Sequence, residues 1–409
     1  MLKYIVFIIA ITAFYLESWI FQLTYMDEII AIALFFYGIL ALIKINREGK
    51  SVFLRGEIIF FLLMIVFAFL SVLSTVFSNV SNTLENQVYT FLASLKFVMI
   101  YFGARVLFFG VDNKSIQHFG KILIRFSYIY VIVLFFIYSL DLVLGFMQSH
   151  DYRFGLKSVA FGFGHPSEFA LFLILLSIFN LYFNAKYRMR IDYLFLFLNF
   201  ILLLFSGRVT ALSFFALLCI ILISFRFFRN YVAMGVTVSL IIAIGFAYDK
   251  IHETFIALEH ARGVLLNSAN LIAQDYFPFG SGLGTFGSHA SRVNYSELYY
   301  SYGVSNFYGL SEDYPAFITD SYWAMMIAEN GYIASIMQFL AIVILISSLY
   351  IRNKSIITII VIYPLIYMLF TTPIDTIMLS NSSLPLVFTA AVLVSIEFKN
   401  NCKVSLKRK

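Results

Sequence analysis

Arg208 sits at the tip of an apolar hairpin, in the run Ser206-Gly207-Arg208. The apolar stretch before it, Asp192 to Phe205, has fourteen residues. As a helix it spans roughly 21 Å, short of a hydrocarbon core of about 30 Å. Its guanidinium is therefore expected below the membrane surface, where a charge is costly unless it faces a polar cavity or an anion. The planar fork pairs phosphate oxygens two at a time, which suits a diphosphate. The competing reading is an arginine that snorkels to the surface from a hairpin tip.

Other residues of the same chemistry lie in two further polar segments. Arg153 is followed after ten residues by Gly164, and Arg292 after ten residues by Gly303. His165-Pro166-Ser167-Glu168 opens an apolar run. The stretch 249–319 is a polar island of about seventy residues in an otherwise apolar chain. A loop this long is usually functional. It holds Arg262 at the start of a predicted short helix, the run Pro278-Phe279-Gly280-Ser281-Gly282-Leu283-Gly284, His289, Arg292 and many tyrosines. Asp320 stands at its exit. Gly282, Gly284 and Gly287 fit G-x-G-x-x-G, but no βαβ context surrounds them, so a dinucleotide site is rejected. The glycines are expected to make a tight turn that lets backbones approach, with backbone N–H groups near phosphate as the alternative. Asp320 is either a helix N-cap or a carboxylate that takes a proton from a sugar hydroxyl. His165 and His289 are weaker base candidates, more often structural hydrogen-bond partners. Lys96, Asp141 and Glu168 are ionisable groups in or near apolar runs, expected either as satisfied pairs or as parts of a transport path.

The elements that position these groups follow from composition. The 409 residues are 61% hydrophobic and 12% charged, with a mean hydropathy of +0.90. A soluble domain has roughly 25% charged residues. Twelve apolar segments are expected to be helices, because lipid cannot satisfy free backbone groups: about 4–18, 28–45, 57–78, 87–110, 119–146, 165–183, 191–206, 209–225, 230–248, 320–350, 355–372 and 383–398. The first reads as a retained helix, since no small-residue cleavage pattern follows it. With the N-terminus inside, 21 of the 28 Lys and Arg residues fall on inner connections, including Arg105 at the end of the fourth span. Arg153, Lys157, Arg208, Lys250, Arg262 and Arg292 fall outside and Lys96 within a span. The expected fold is thus an all-α integral membrane protein with about twelve spans. Both termini are cytoplasmic, and one large outer loop of short helices and turns lies between spans 9 and 10. It forms one polytopic domain over 1–409. The basic excess is a topology signal whose partner is the inner leaflet, not nucleic acid. Cys219 and Cys402 form no disulfide framework. No Walker loop, Asp-x-Asp or paired-histidine spacing is present, so no cofactor and no metal are expected.

In this order and on one face, the motifs resemble the bacterial O-antigen polymerase and O-antigen ligase superfamily. Ser206-Gly207-Arg208-Val209-Thr210-Ala211 resembles the family's Ser-x-Arg-Thr-like start of a span. His165-Pro166-Ser167-Glu168 is similar to its His-Pro-Asn-like helix opening. Arg262 with the glycine run resembles its Arg…Pro-x-x-Gly-x-Gly loop, and Asp320-Ser321-Tyr322-Trp323…Glu329-Asn330-Gly331 its loop exit. The two Arg-ten-Gly patterns are like those of polymerases. Asp320 stands where the ligase branch carries His-Asn, which favours polymerase over ligase. The resemblance implies transfer of a growing glycan from a polyprenyl diphosphate to a lipid-linked repeat unit. Arg208, Arg262 and Arg292 would hold the diphosphate, and Asp320 would act on the acceptor. Arg153, His165 and His289 would bind substrate, with Tyr299, Tyr300 and Tyr302 stacking on sugars. The implied partners are a polyprenyl-diphosphate-linked oligosaccharide, membrane lipids and a chain-length regulator. The alternatives are a ligase that moves the finished glycan and an exporter of lipid-linked sugars.

Overall fold

A computed structural model describes residues 2–19, 26–147, 149, 151–153, 155–187, 193–227 and 260–398. Fourteen α-helices are described: α1 (Leu2–Trp19), α2 (Met26–Arg47), α3 (Arg55–Phe77), α4 (Leu84–Leu107), α5 (Asn113–Leu144), α6 (Pro166–Lys186), α7 (Tyr193–Ser206) and α8 (Val209–Phe227), then α9 (Ala261–Asp275), α10 (His289–Val293), α11 (Glu297–Ser301), α12 (Tyr322–Arg352), α13 (Ile356–Thr371) and α14 (Ser383–Glu397). The only described strands are a small hairpin, β1 (Asp151–Arg153) against β2 (Leu156–Ser158), antiparallel. Among the described residues six helices are long and apolar enough to cross a membrane: α2, α3, α4, α5, α6 and α12. Five other apolar helices are shorter. The expected ninth span, 230–248, lies outside the described residues, as does Lys250.

The packing orders these helices from centre to rim. α6 is buried along almost its whole length, while α2, α3 and α5 show wide apolar faces outward, among them Phe36, Leu62, Ile65, Phe69 and Phe136. Such faces suit lipid, which costs an exposed leucine nothing. Local chemistry sets the helix starts. Asp112 caps α5 by accepting from Lys114 N and Ser115 N at 3.0 and 3.2 Å. His165 caps α6, with Pro166 at the first helical position, where a missing N–H costs no bond.

Several charges inside the bundle are paired. Arg105 lies within α4, and its Nη2 donates to Glu57 Oε2 at 2.8 Å, with Ser395 and Tyr101 completing the network. It was expected among the topology charges of an inner connection. Instead α4 runs on to Leu107 and buries it. Lys96 pairs with Asp27 and, at 3.2 Å, with Glu28. Lys157 pairs with Asp141 at 3.1 Å and Lys186 with Glu397 at 2.8 Å. Removing one member of a fully buried pair costs about 3–5 kcal/mol.

The polar segment 260–321 folds onto one end of the bundle. Its small core, with Leu265, Ile272, Phe286, Leu298 and Tyr299, includes Ala324 and Ala328 of α12. α12 is broken at Gly331, whose φ of +72° and ψ of 174° suit only glycine. The glycine run docks into this break. Ser281 N donates to Ala328 O at 2.8 Å and Gly282 N to Glu329 O at 3.0 Å. The buried Glu329 carboxylate accepts from Phe286 N at 3.1 Å. Leu283 O accepts from Asn82 Nδ2 at 2.8 Å, tying the turn to the α3–α4 connection. A Cβ on Gly280 would lie 2.5 Å from Gly331 N, so this approach needs glycine on both sides.

Candidate functional site

At the loop end of the bundle a cavity of about 670 Å³ opens between α6, α8, α9 and α13. Arg153, His165, Arg208, Arg262, Asp320 and Asp375 line it. Five of these six were singled out from the sequence, on segments far apart in the chain. Asp375 was not.

Each side chain is placed by a local device. Arg208 follows Gly207, whose φ of +66° turns the chain from α7 into α8. The β-hairpin braces this tip: Ser158 Oγ donates to Ser206 O at 2.8 Å, Val159 N to Phe205 O at 3.2 Å, and Arg153 Nη1 to Gly207 O at 3.4 Å. Arg153 is held by Asp151 at 2.8 Å. His165 Nδ1 bonds Ser167 Oγ at 2.6 Å, and its Nε2 meets Arg208 Nη2 at 3.1 Å. A guanidinium only donates, so Nε2 accepts in this contact. Arg262, in the first turn of α9, reaches Asp320 Oδ2 at 2.9 Å.

The electrostatics single out Arg208. Arg153 is paired with Asp151 and Arg262 with Asp320, whereas Arg208 has no ion-pair partner among the described residues. Its Nε is buried without a hydrogen-bond partner. Burial and the neighbouring Arg153 press its pKa below the ordinary guanidinium value, and Asp151 opposes them. A buried polar nitrogen without a partner is costly, and a ligand oxygen would relieve it. The carboxylates are shifted the other way. Burial raises Asp320, against the pull of Arg262. Asp375 is open to the cavity but enclosed by protein, and this desolvation, helped by Asp320 and opposed by Arg262, pushes it up to about 6. The cavity thus combines three cations, one without a carboxylate, with two reluctant acids. It can take an anion and a proton.

The remaining sequence candidates lie elsewhere. Arg292 faces a separate open groove of about 610 Å³ with Tyr295, Glu312 and Tyr314. Ala316 borders both this groove and the arginine cavity, so the two adjoin. The two Arg-ten-Gly patterns therefore do not converge on one cavity. Tyr300 is exposed and its hydroxyl donates to Glu312. Tyr302 donates to Asp275 Oδ2 at 2.7 Å. Tyr299 is fully buried, packed on Phe286 and Tyr295, and its hydroxyl accepts from Gly287 N at 2.8 Å. That burial leaves no ring face for a sugar and corrects the expected stacking role, because the ring is needed as loop core. His289 lies beside Tyr89 at a third, smaller pocket. Burial and Arg292 hold its pKa below the ordinary value. Among the described residues no three His, Cys, Asp or Glu side chains gather as metal ligands would. The signal that could have found Asp375 is weak: an acid in a short polar link, Thr371-Thr372-Pro373-Ile374-Asp375-Thr376, between two apolar helices. No family model, characterised protein or solved structure matches this chain.

Proposed function

We propose that this chain is a membrane glycosyltransferase that polymerises lipid-linked repeat units, as its resemblance to the O-antigen polymerase and ligase superfamily implies. In this reading it spans the bacterial cytoplasmic membrane about twelve times, with both termini inside and the arginine cavity open to the outer face. The observation that carries it is Arg208: a half-buried guanidinium without a carboxylate partner among the described residues, facing a cavity shared with Arg153, Arg262 and two acids. A donor diphosphate would bind across Arg208 and Arg262. Arg153 replaces Arg292 as the third cation, because Arg153 lines the cavity and Arg292 does not. An acceptor hydroxyl attacks the anomeric carbon, the bond from that carbon to the diphosphate oxygen breaks, and the hydroxyl proton passes to a carboxylate. The arginines stabilise the charge that develops on the leaving diphosphate, where preorganised donors act most strongly. Asp320, tied to Arg262, orients that guanidinium, and Asp375 takes the proton.

The test uses purified full-length protein in detergent, lipid-diphosphate repeat units and a chelator. The expected product is a ladder spaced by one repeat, together with free polyprenyl diphosphate. A ligase gives no ladder from repeat units alone. An exporter moves the lipid across liposomes and leaves its length unchanged. Strict need for a divalent ion would refute the arginine mechanism.

A further inference from the structure

A second pocket, of about 210 Å³, lies against the arginine cavity and has a different chemistry. Its walls carry Glu28, Tyr89, Thr90, Ser288, His289 and Asn381. Among the described residues no arginine or lysine lines it. Two neighbouring residue pairs separate the cavities. Thr319 and Thr376 face the small pocket, while the adjoining Asp320 and Asp375 face the arginine cavity. The septum between the two spaces is therefore built from the two acids and their threonine neighbours.

The lining holds one polar side chain that the described residues leave unserved. Thr90 is only 3% exposed, and its Oγ1 has no hydrogen-bond partner. Glu28 gives Oε1 to Lys96 and hydrogen-bonds the neighbouring Asp27. Groups such as the Thr90 hydroxyl normally find a partner, and one left over marks a site for a ligand or bound water. A phosphate would find no cation in this lining. A sugar offers hydroxyls that both donate and accept, and an apolar face that lies on an aromatic ring such as Tyr89. We infer that this pocket is a neutral-glycan subsite, and that it holds a sugar of the acceptor unit beside the wall formed by Thr319, Asp320, Asp375 and Thr376. The assignment to the acceptor rests on the polymerase reading. The glycan chemistry of the pocket rests on its own lining.

The experiment measures binding by calorimetry to the full-length protein in nanodiscs. The probe is the oligosaccharide released by mild acid from the producing cell's own lipid-diphosphate pool, so that no phosphate is present. Thr90→Val keeps the shape and removes the unserved hydroxyl, and Asn381→Leu removes an amide that makes no side-chain bond among the described residues. Each is expected to weaken glycan binding by about tenfold, the worth of one good hydrogen bond. Arg208→Lys is expected to leave glycan binding unchanged and to weaken inorganic diphosphate binding. Wild-type affinity in both pocket variants, or no glycan binding by the wild-type protein, would overturn the subsite. Pocket-dependent binding without a ladder would uphold the subsite and remove the polymerase reading. A ladder with glycan affinity indifferent to both variants would do the reverse.

Discussion

Arg208 offers a perturbation in which activity and stability should part company. Removing an arginine that a carboxylate holds costs both. Arg208 has no such partner among the described residues, sits near the like-charged Arg153, and keeps a buried Nε without an acceptor. Arg208→Met therefore removes a cation that the fold itself does not use. The one bond lost, to His165 Nε2 at 3.1 Å, leaves a cap residue still tied to Ser167. The melting temperature is expected within about 2 °C of wild type, or higher. The loss to a bound diphosphate is larger. Charge-assisted hydrogen bonds contribute roughly 1.5–3 kcal/mol each, so two lost bonds slow the reaction by about 10²-fold or more. Arg208→Lys keeps the charge and loses the fork, and is expected to lose about tenfold or more. Arg262→Met is the contrast: it breaks the pair with Asp320, so it should lower stability as well as rate. The assays are thermal unfolding in detergent and the initial rate of ladder formation. A fall of several degrees in Arg208→Met, or a full rate in Arg208→Lys, would show that the fold, not a ligand, needs this side chain.

Four further outcomes follow from the same cavity and its support. Asp375 has its pKa raised from 3.8 to about 6, so the folded state favours its neutral form and stability from this group falls as pH rises through that window. Asp375→Asn should then be the more stable protein at pH 8, and the two should converge near pH 4; equal melting temperatures at pH 8 would contradict the shift. With Asp375 neutral the cavity is more positive, so wild-type diphosphate affinity should rise below pH 6 by more than that of Asp375→Asn, measured by titration at each pH. Asp320→Asn should be membrane-inserted and folded, since Ser321 and not Asp320 caps α12, but should lose about 10²-fold in rate as Arg262 loses its aim; near-wild-type polymer would remove Asp320 from the chemistry. Gly280→Ala places a Cβ 2.5 Å from Gly331 N at a residue with φ of +89°, which costs at least about 1–2 kcal/mol from the backbone alone. Limited proteolysis should then cut near 277–287 in the variant and spare the wild type.

The cavity was legible in the sequence wherever a residue broke a strong local pattern. A charge at the tip of a fourteen-residue apolar helix is conspicuous, and Arg208 lies where that argument puts it. His165 before Pro166 reads as a helix start and is one. Asp375 breaks no pattern, since an acid in a short link between apolar helices is unremarkable until α13 packs beside α8. Arg292 misled for the converse reason. It shares a polar loop with Arg262, but the loop folds its 260–287 half onto the bundle and leaves the groove beside Arg292 open. Tyr299 looked like its neighbour Tyr300, and only the turn of α11 decides that one ring faces the loop core and the other faces out. Arg105 was counted from its position near a helix end, although its partner Glu57 lies 48 residues away in sequence.

The two aspartates at the septum divide the work because their surroundings differ. Asp320 is held by Arg262 through its side chain at 2.9 Å, and its backbone oxygen accepts from Arg262 Nε at 3.4 Å. A carboxylate fixed this way is a poor proton acceptor, since accepting a proton would give up the ion pair. Its value lies in aiming the guanidinium, as a bidentate clamp needs a fixed fork. Asp375 has no such partner among the described residues, and its raised pKa, about 6, lies nearer the pH at which a base must work. Diphosphate binding reinforces this split. An added anion beside Asp375 raises its pKa further and makes it a stronger base, while the same anion draws on Arg262 and loosens its hold on Asp320. In the proposed transfer the donor would thereby prepare the proton acceptor. That coupling requires two acids, one tied and one untied, at the same wall.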